Sequence, residues 1–348
     1  MSEIRRKYFL WGIVILVVVI FLVLAFRQPT IIDTISLPEV RINWETIRAD
    51  DVARVSPEWG EPQLMPFNTD GWQEGDYISP DGNTFYFGYI NVDAFRIQFG
   101  DGKLVKIGPS IDNKKTCLLG PTGSMNCGDS PRYDLFYVEK TANGWSAPQP
   151  HPLTLNCPVQ SITLVNDHKA YFIASFDDQC SEKVIAYSEK KNGQWGSAIK
   201  IDEVSSTFWD DDPFVNQEEN EMFFWSKRPA KFKGHNIFRS EKVNGKWQSP
   251  ELLPEPINSE GDDMQTFVYE NYLYFVSNRQ PTGMPMGIYK SKRLGNNKFG
   301  EPELVVSSKL GVGEPSIPND GSRLYFEQIF TDGKGNFKAD MMYVNRKQ

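Results

Sequence analysis

An internal repeat of about 50 residues limits what this chain can fold into more than any other feature. A turn followed by an aromatic residue recurs as NGWSAP at Trp145, NGQWGSA at Trp195, NGKWQSP at Trp247 and NNKFGEP at Phe299, at spacings of 50, 52 and 52. Upstream of each lies an amphipathic segment: DLFYVEK (134 to 140), VIAYSEK (184 to 190), NIFRSEK (236 to 242) and GIYKSKR (287 to 293). Asn-Gly between two such runs predicts a hairpin, because both central residues of a type I′ turn need positive φ. Further upstream comes a more apolar strand carrying an aromatic pair, around Tyr86, Tyr171, Phe223, Tyr274 and Tyr325, the last four 51 or 52 residues apart. Several of these strands follow turns rich in Asp, Asn and Gly, such as Pro80 to Asn83 and Asn319 to Ser322, and a short strand precedes each turn.

Four strands per unit cannot bury both faces alone, and radial stacking of such sheets is the propeller solution. The expected fold is therefore all-β, a five-bladed β-propeller. The fifth unit reaches DMMYVNR (340 to 346) without the aromatic strand that follows in the others, whereas Pro57 to Pro62 (PEWGEP) carries that motif with no unit before it. Residues 52 to 66 are expected to close the ring as the outer strand of the last blade.

These patterns resemble the TolB-type and WD-repeat-like β-propeller repeats of bacterial and archaeal envelope proteins. The best matches are Asp211 to Pro213 with Trp225 to Arg228, and Glu314-Pro315 with Asp320-Gly321 and Tyr325-Phe326. The resemblance covers residues 52 to 348. It implies a propeller and is nearly silent on function, since the family includes binding, scaffolding and catalytic members.

The run Tyr8 to Phe26 is 19 residues without a charge, long enough as a helix to span roughly 30 Å of hydrocarbon. No small-x-small cleavage site follows it, which points to an uncleaved signal anchor rather than a secretory signal. Arg5, Arg6 and Lys7 precede the run and only Arg27 follows it closely, so residues 1 to 7 are expected in the cytoplasm and the remainder outside it, in the periplasm or extracellular space. Residues 27 to 50 carry two prolines and little periodicity, which suits a stalk. Setting aside Glu3, Arg5, Arg6, Lys7 and Arg27 from 37 basic and 45 acidic side chains leaves 33 and 44, a charge of about −11, which makes nucleic acid an unsuited partner.

One step breaks the period. Tyr86 and Tyr137 are 51 residues apart where the equivalent Tyr171 and Tyr187 are 16 apart, so residues 91 to 131 form an insertion in the loop between the second and third strands of blade 1. By that topology Cys117, Cys127, Cys157 and Cys180 all fall on one face. Cys117–Cys127 and Cys157–Cys180 is the favoured pairing among three possible connectivities. No spacing is C-x-x-C, and no motif calls for a metal or a cofactor.

Acidic residues recur where the chain enters each inner strand. Asp76, Asp212, Asp263 and Glu314 are candidates for acid, base and pKa-tuning roles in a carboxylate-lined channel mouth, as in a glycoside hydrolase, or for cation binding by the same oxygens. Their recurrence by repeat position favours instead a structural role, each acid bonding backbone N–H groups or an arginine of its own blade, such as Arg228 or Arg279. The basic loop from Lys227 to His235 is expected on the same face, with Lys227, Arg228, Lys231 and Lys233, together with Arg279, as candidate binding residues. His151, His168 and His235 read as exposed turn residues. No nucleophile elbow, zinc helix, phosphate loop or dinucleotide fingerprint is present. The combined reading is a membrane-tethered binding or scaffold module for a protein or envelope glycan, with a glycan hydrolase as the alternative.

Overall fold

The computed structural model describes residues 43–69, 71–90, 93, 118–119, 125–126, 134–153, 155, 157–177, 182–279, 285–295 and 297–347. The apolar run 8 to 26, most of the insertion, and Cys117, Cys127 and Cys180 lie outside the described residues. Among those that are described, no helix is long and apolar enough to cross a membrane.

Five antiparallel sheets follow one another along the chain. Blade 1 comprises Trp72–Ile78, Thr84–Ile90 and Asp134–Thr141, and blade 2 comprises Gln160–Val165, Lys169–Ala174 and Val184–Lys191. Blade 3 comprises Asp210–Val215, Glu221–Ser226 and Asn236–Val243, and blade 4 comprises Asp263–Tyr269, Tyr272–Ser277 and Gly287–Gly295. Blade 5 comprises Val312–Ser316, Arg323–Thr331 and Phe337–Asn345. In blades 1 to 3 the Asn-Gly turn leads into short outer strands such as Lys246–Trp247 and Glu251–Leu252, and in blade 4 Lys298–Phe299 holds the corresponding place. Each inner strand touches that of the next blade, and the fifth touches the first, so the ring is closed. The fold is an all-β, five-bladed propeller.

The second strands explain the repeat's apolar signature. Each is flanked by a neighbouring blade on both faces, so Glu221–Ser226 is buried along its whole length, and Phe85, Phe172, Phe223, Phe275 and Phe326 are all fully enclosed. Removing such a side chain from water contributes about 1.5–3 kcal/mol. Third strands alternate in their outer halves, as in Val184–Lys191, because that end reaches solvent.

The N-terminal segment closes the last blade. Gln63–Leu64 pairs antiparallel with Met342 and Tyr343, and Trp59 bridges to Arg346. Trp59 is 1 % exposed and Arg346 lies over its ring at 5.0 Å. Residues 52 to 66 also do something the repeat does not announce, since Arg54–Val55 extends blade 4 by pairing with Val306 and Ser307. The end of the expected stalk is ordered as well. Trp44–Asp50 is a helix capped by Asn43, with Trp44 buried and Arg48 donating to Asp340 at 2.7 Å. Trp44, the Arg48–Asp340 ion pair and the bonds donated by Lys309 Nζ to Asp50 O at 2.7 Å and by Gln328 Nε2 to Asp51 O at 2.6 Å, rather than periodicity, hold this end against the propeller.

Candidate functional site at the channel mouth

Each inner strand breaks register once against its partner. At the break one residue adopts a left-handed backbone: Gly75 (φ 69°), Ser161 (51°), Asp212 (49°), Gln265 (50°) and Glu314 (54°). A bulge of this kind re-aims one side chain. All five residues line one cavity of about 30 Å³ between the inner strands. Four of the five carry a side chain, so each bears a strain of order 1–3 kcal/mol that the surrounding sheet must overcome.

The five residues differ, and they engage each other unevenly. Ser161 Oγ donates to Asp212 Oδ1 at 2.5 Å, linking blades 2 and 3, and Gln265 Nε2 donates to Glu314 Oε1 at 2.6 Å, linking blades 4 and 5. Blade 1 contributes only Gly75. Beside it stands Asp76, 6 % exposed and facing the same cavity, and neither of its carboxyl oxygens has a hydrogen-bond partner. Burial, reinforced by the Glu74 charge, holds this carboxyl well above the usual range.

The neighbouring acids share that environment. Asp212 is pushed up to about 7 by burial and by the charge of Asp211. Burial, with Asp212 and Glu327, raises Glu314 well above its ordinary value, and burial, with Glu74 and Asp76, does the same to Glu327. Tryptophans anchor three of the group: Trp72 Nε1 donates to Glu74 at 2.7 Å, Trp209 Nε1 to Asp211 at 2.6 Å and Trp225 Nε1 to Asp212 at 2.5 Å. Lys183 reaches Asp211 at 3.5 Å, and Lys227 lies over the Trp209 ring at 4.4 Å. Next to Trp209 in sequence, Phe208 is 46 % exposed. The mouth thus joins protonatable carboxyls to an aromatic and lysine collar.

The four sequence-predicted acids do not share one structural position. Asp212 and Glu314 occupy the bulge, and Asp76 follows it by one residue. Asp263 precedes it by two: no part of it is exposed, and it accepts from Arg279 Nη2 at 2.7 Å and from Ser259 N and Oγ at 2.6 and 2.8 Å. Asp210 repeats this arrangement with Arg228 and Ser206. Register places Gln73, not Asp76, level with Asp263.

The basic loop divides in the same way. Arg228 and Arg279 direct their donors inward, to Asp210 and Val204 O, and to Asp263, Pro256 O and Ile257 O. Lys231 and Lys233 are exposed, and Lys231 pairs with Glu255 at 3.3 Å. The histidine expectation is corrected at two sites. His151 is buried among Tyr86, Tyr137 and Trp195, and burial with the Lys190 charge lowers it to about 4. His235 Nδ1 lies 2.6 Å from Asp262 Oδ1, with its ring edge-on to Trp225. Neither contact is local in sequence, which is why the turn motifs conceal them.

Glu74 and Glu327 join the site without having been marked by the repeat. Glu327 stands opposite Gly313 in a second strand, at the place held by Gly88, Ile173, Trp225 and Val276 in the other blades. A lone charge in that otherwise uncharged column is the signal that could have found it. Cys157 is buried, its sulfur 3.3 Å from Asp177 O.

No family model matches the chain, and no curated protein matches it in sequence. Among solved structures, the chain is similar to a thermostable family-43 glycoside hydrolase at 12% identity, covering 82% of this chain and 97% of that one, with a TM-score of 0.46. It is similar to a family-43 endo-arabinanase from Bacillus licheniformis at 15%, covering 79% and 94%, with a TM-score of 0.42. It is also similar to a putative TolB from Agrobacterium tumefaciens at 14%, covering 84% and 98%, with a TM-score of 0.42. Identities this low say nothing of substrate or partner.

Proposed function

We propose that the chain is a single-pass membrane protein, anchored by residues 8 to 26 with its N-terminus in the cytoplasm. Its propeller then works outside the cytoplasm as a binding module for a protein or envelope glycan, taken at the channel mouth. The observation that carries this reading is Asp76, a buried carboxyl aimed into the cavity with no partner for either oxygen. Leaving such a group unsatisfied costs about 1–3 kcal/mol, and a ligand donor would recover it. Of the two partner classes a glycan is favoured, since the exposed Phe208 offers a ring face beside the polar groups of the mouth. Disulfides Cys117–Cys127 and Cys157–Cys180 would pin the loops of this face.

A hydrolase reading has one observation in its favour. Asp212, at about 7, is poised as a general acid near neutrality. Against it, a cavity of about 30 Å³ admits a single donor group, such as a hydroxyl, to these acids without movement, which suits contact with Asp76 but does not seat a sugar ring with its glycosidic bond beside Asp212. The deciding experiment incubates the full chain, in a polyoxyethylene detergent, with envelope polysaccharides and assays released reducing ends. Binding without release supports the module. Release that disappears in a folded Asp212→Asn variant establishes the hydrolase instead.

A further inference from the structure

The five seams between blades serve as controls for one another. At the seam of blades 2 and 3, Lys169 opens a second strand, Lys242 sits level with Trp247, and Tyr171 pairs with Tyr187. Glu219, in the turn of blade 3, joins this group: it accepts from Lys169 at 2.7 Å, from Lys242 at 2.5 Å and from the Tyr171 hydroxyl, and Lys169 pairs also with Glu189, level with it in the third strand, at 3.1 Å.

The seam of blades 5 and 1 repeats every part except the two acids, Asn345 standing opposite Arg323 where Glu189 stands opposite Lys169. Arg323 opens the second strand as Lys169 does, and Tyr325 pairs with Tyr343. Lys140 sits level with Trp145. The turn is equivalent too: Lys140 N donates to Asn83 O as Lys242 N donates to Asn220 O, and Gly82 N donates to Ser79 O as Glu219 N donates to Asn216 O. Gly82, at φ 71°, therefore holds the place of Glu219, at φ 54°. Between the parts lies a cavity of about 310 Å³, lined by Lys140, Trp145, Arg323 and Tyr343 with Pro66 and Thr141.

Among the described residues neither cation has an ion-pair partner. Arg323 donates to the neutral Asn345 at 2.9 Å and lies over the Tyr343 ring at 5.0 Å. Asp320, the acid of blade 5's own turn, feels both charges but bonds the backbone N–H of Ser322 and forms no ion pair with either. Two cations set around a concave, aromatic-walled space are the means by which proteins take up a carboxylate. The space is also far larger than the one carboxylate that Glu219 inserts at the other seam.

We propose that this seam binds a sugar acid: the carboxylate would lie between Lys140 and Arg323 as Glu219 lies between Lys169 and Lys242, and the ring against Trp145 and Tyr343. The site is at the end of the seam away from the channel mouth and does not depend on the channel reading.

Isothermal titration of the full chain with glucuronate, glucose and acetate tests it. Glucuronate is expected to bind at least about tenfold more tightly than acetate, and glucose not at all. Lys140→Gln and Arg323→Gln should each weaken glucuronate about tenfold or more, whereas Lys190→Gln, which alters the corresponding cation at the seam of blades 1 and 2, should leave it unchanged. Gly82→Glu should abolish binding by supplying the carboxylate internally, with the thermal transition retained. No heat with glucuronate, equal binding of glucose, or an equal loss in Lys190→Gln would overturn the assignment.

Discussion

Arg279 Nη2 stands 2.7 Å from Oδ1 of the fully buried Asp263, and the same pair recurs one blade earlier as Arg228 and Asp210. Each aspartate also holds the serine that begins the loop into its inner strand, so the pair ties the loop, second strand and inner strand of one blade. Removing one partner of a buried ion pair costs about 3–5 kcal/mol. Asp263→Ala is expected to lower the unfolding free energy by that amount in denaturant titration and leave ligand binding at the channel mouth unchanged. A midpoint near wild type would contradict the structural role.

The channel acids predict a pH dependence of opposite sense to that of ordinary ion-paired carboxylates. Their folded-state pKa exceeds the unfolded one, so between the two values the folded chain holds a proton that the unfolded chain has lost, and stability falls as pH rises. For Asp212 the window runs from 3.8 to about 7, with a slope of at most roughly 1.4 kcal/mol per pH unit. His151, lowered to about 4, acts in the other direction up to its ordinary 6.5, so the informative quantity is the difference between wild type and Asp212→Asn. The variant is expected to gain stability relative to wild type as pH rises from 4 to 7, followed by thermal denaturation. A constant difference would contradict the burial of this carboxyl.

Trp59 bridges to Arg346 from the opposite end of the sequence, yet it fills the place that Trp247 fills against Lys242 in blade 3. Trp59→Ala should therefore destabilise the whole propeller by about 3–5 kcal/mol, as a large-to-small change in a core does, and the unfolding transition should remain single. A loss below about 1 kcal/mol, within the range of surface changes, would mean that the closing segment is dispensable.

Much of the architecture was legible because duplication writes it repeatedly. The aromatic pairs, the Asn-Gly turns and the orphan motif at Trp59 each predicted a contact that the strand register contains. The site was less legible for a physical reason. The bulge inserts a residue into the inner strand, so counting back from the aromatic pair blurs adjacent positions with opposite fates. Asp263 turns to Arg279, Asp212 turns to the channel, and the offset between their repeat positions is only a residue or two. Partners such as Asp262 for His235, or Glu219 for Lys169, come from separate strands or blades and leave no local pattern.

The cysteines offer an independent check on the proposed pinning of the loops. Cys157 lies beside Asp177, which stands just before Cys180 in sequence. Peptide mapping of the unreduced protein should recover a Cys157–Cys180 peptide and a separate Cys117–Cys127 peptide. A crossed connectivity would contradict the proposed pinning of these loops.

The most direct test of the central claim is a glycan-array comparison of the full-length wild type with Asp76→Asn, with thermal stability followed in parallel. Retention of a glycan by the wild type, weakened about tenfold or more in a variant that is as stable or more stable, is the predicted result. Equal retention by both proteins would contradict the claim that Asp76 awaits a ligand at the channel mouth.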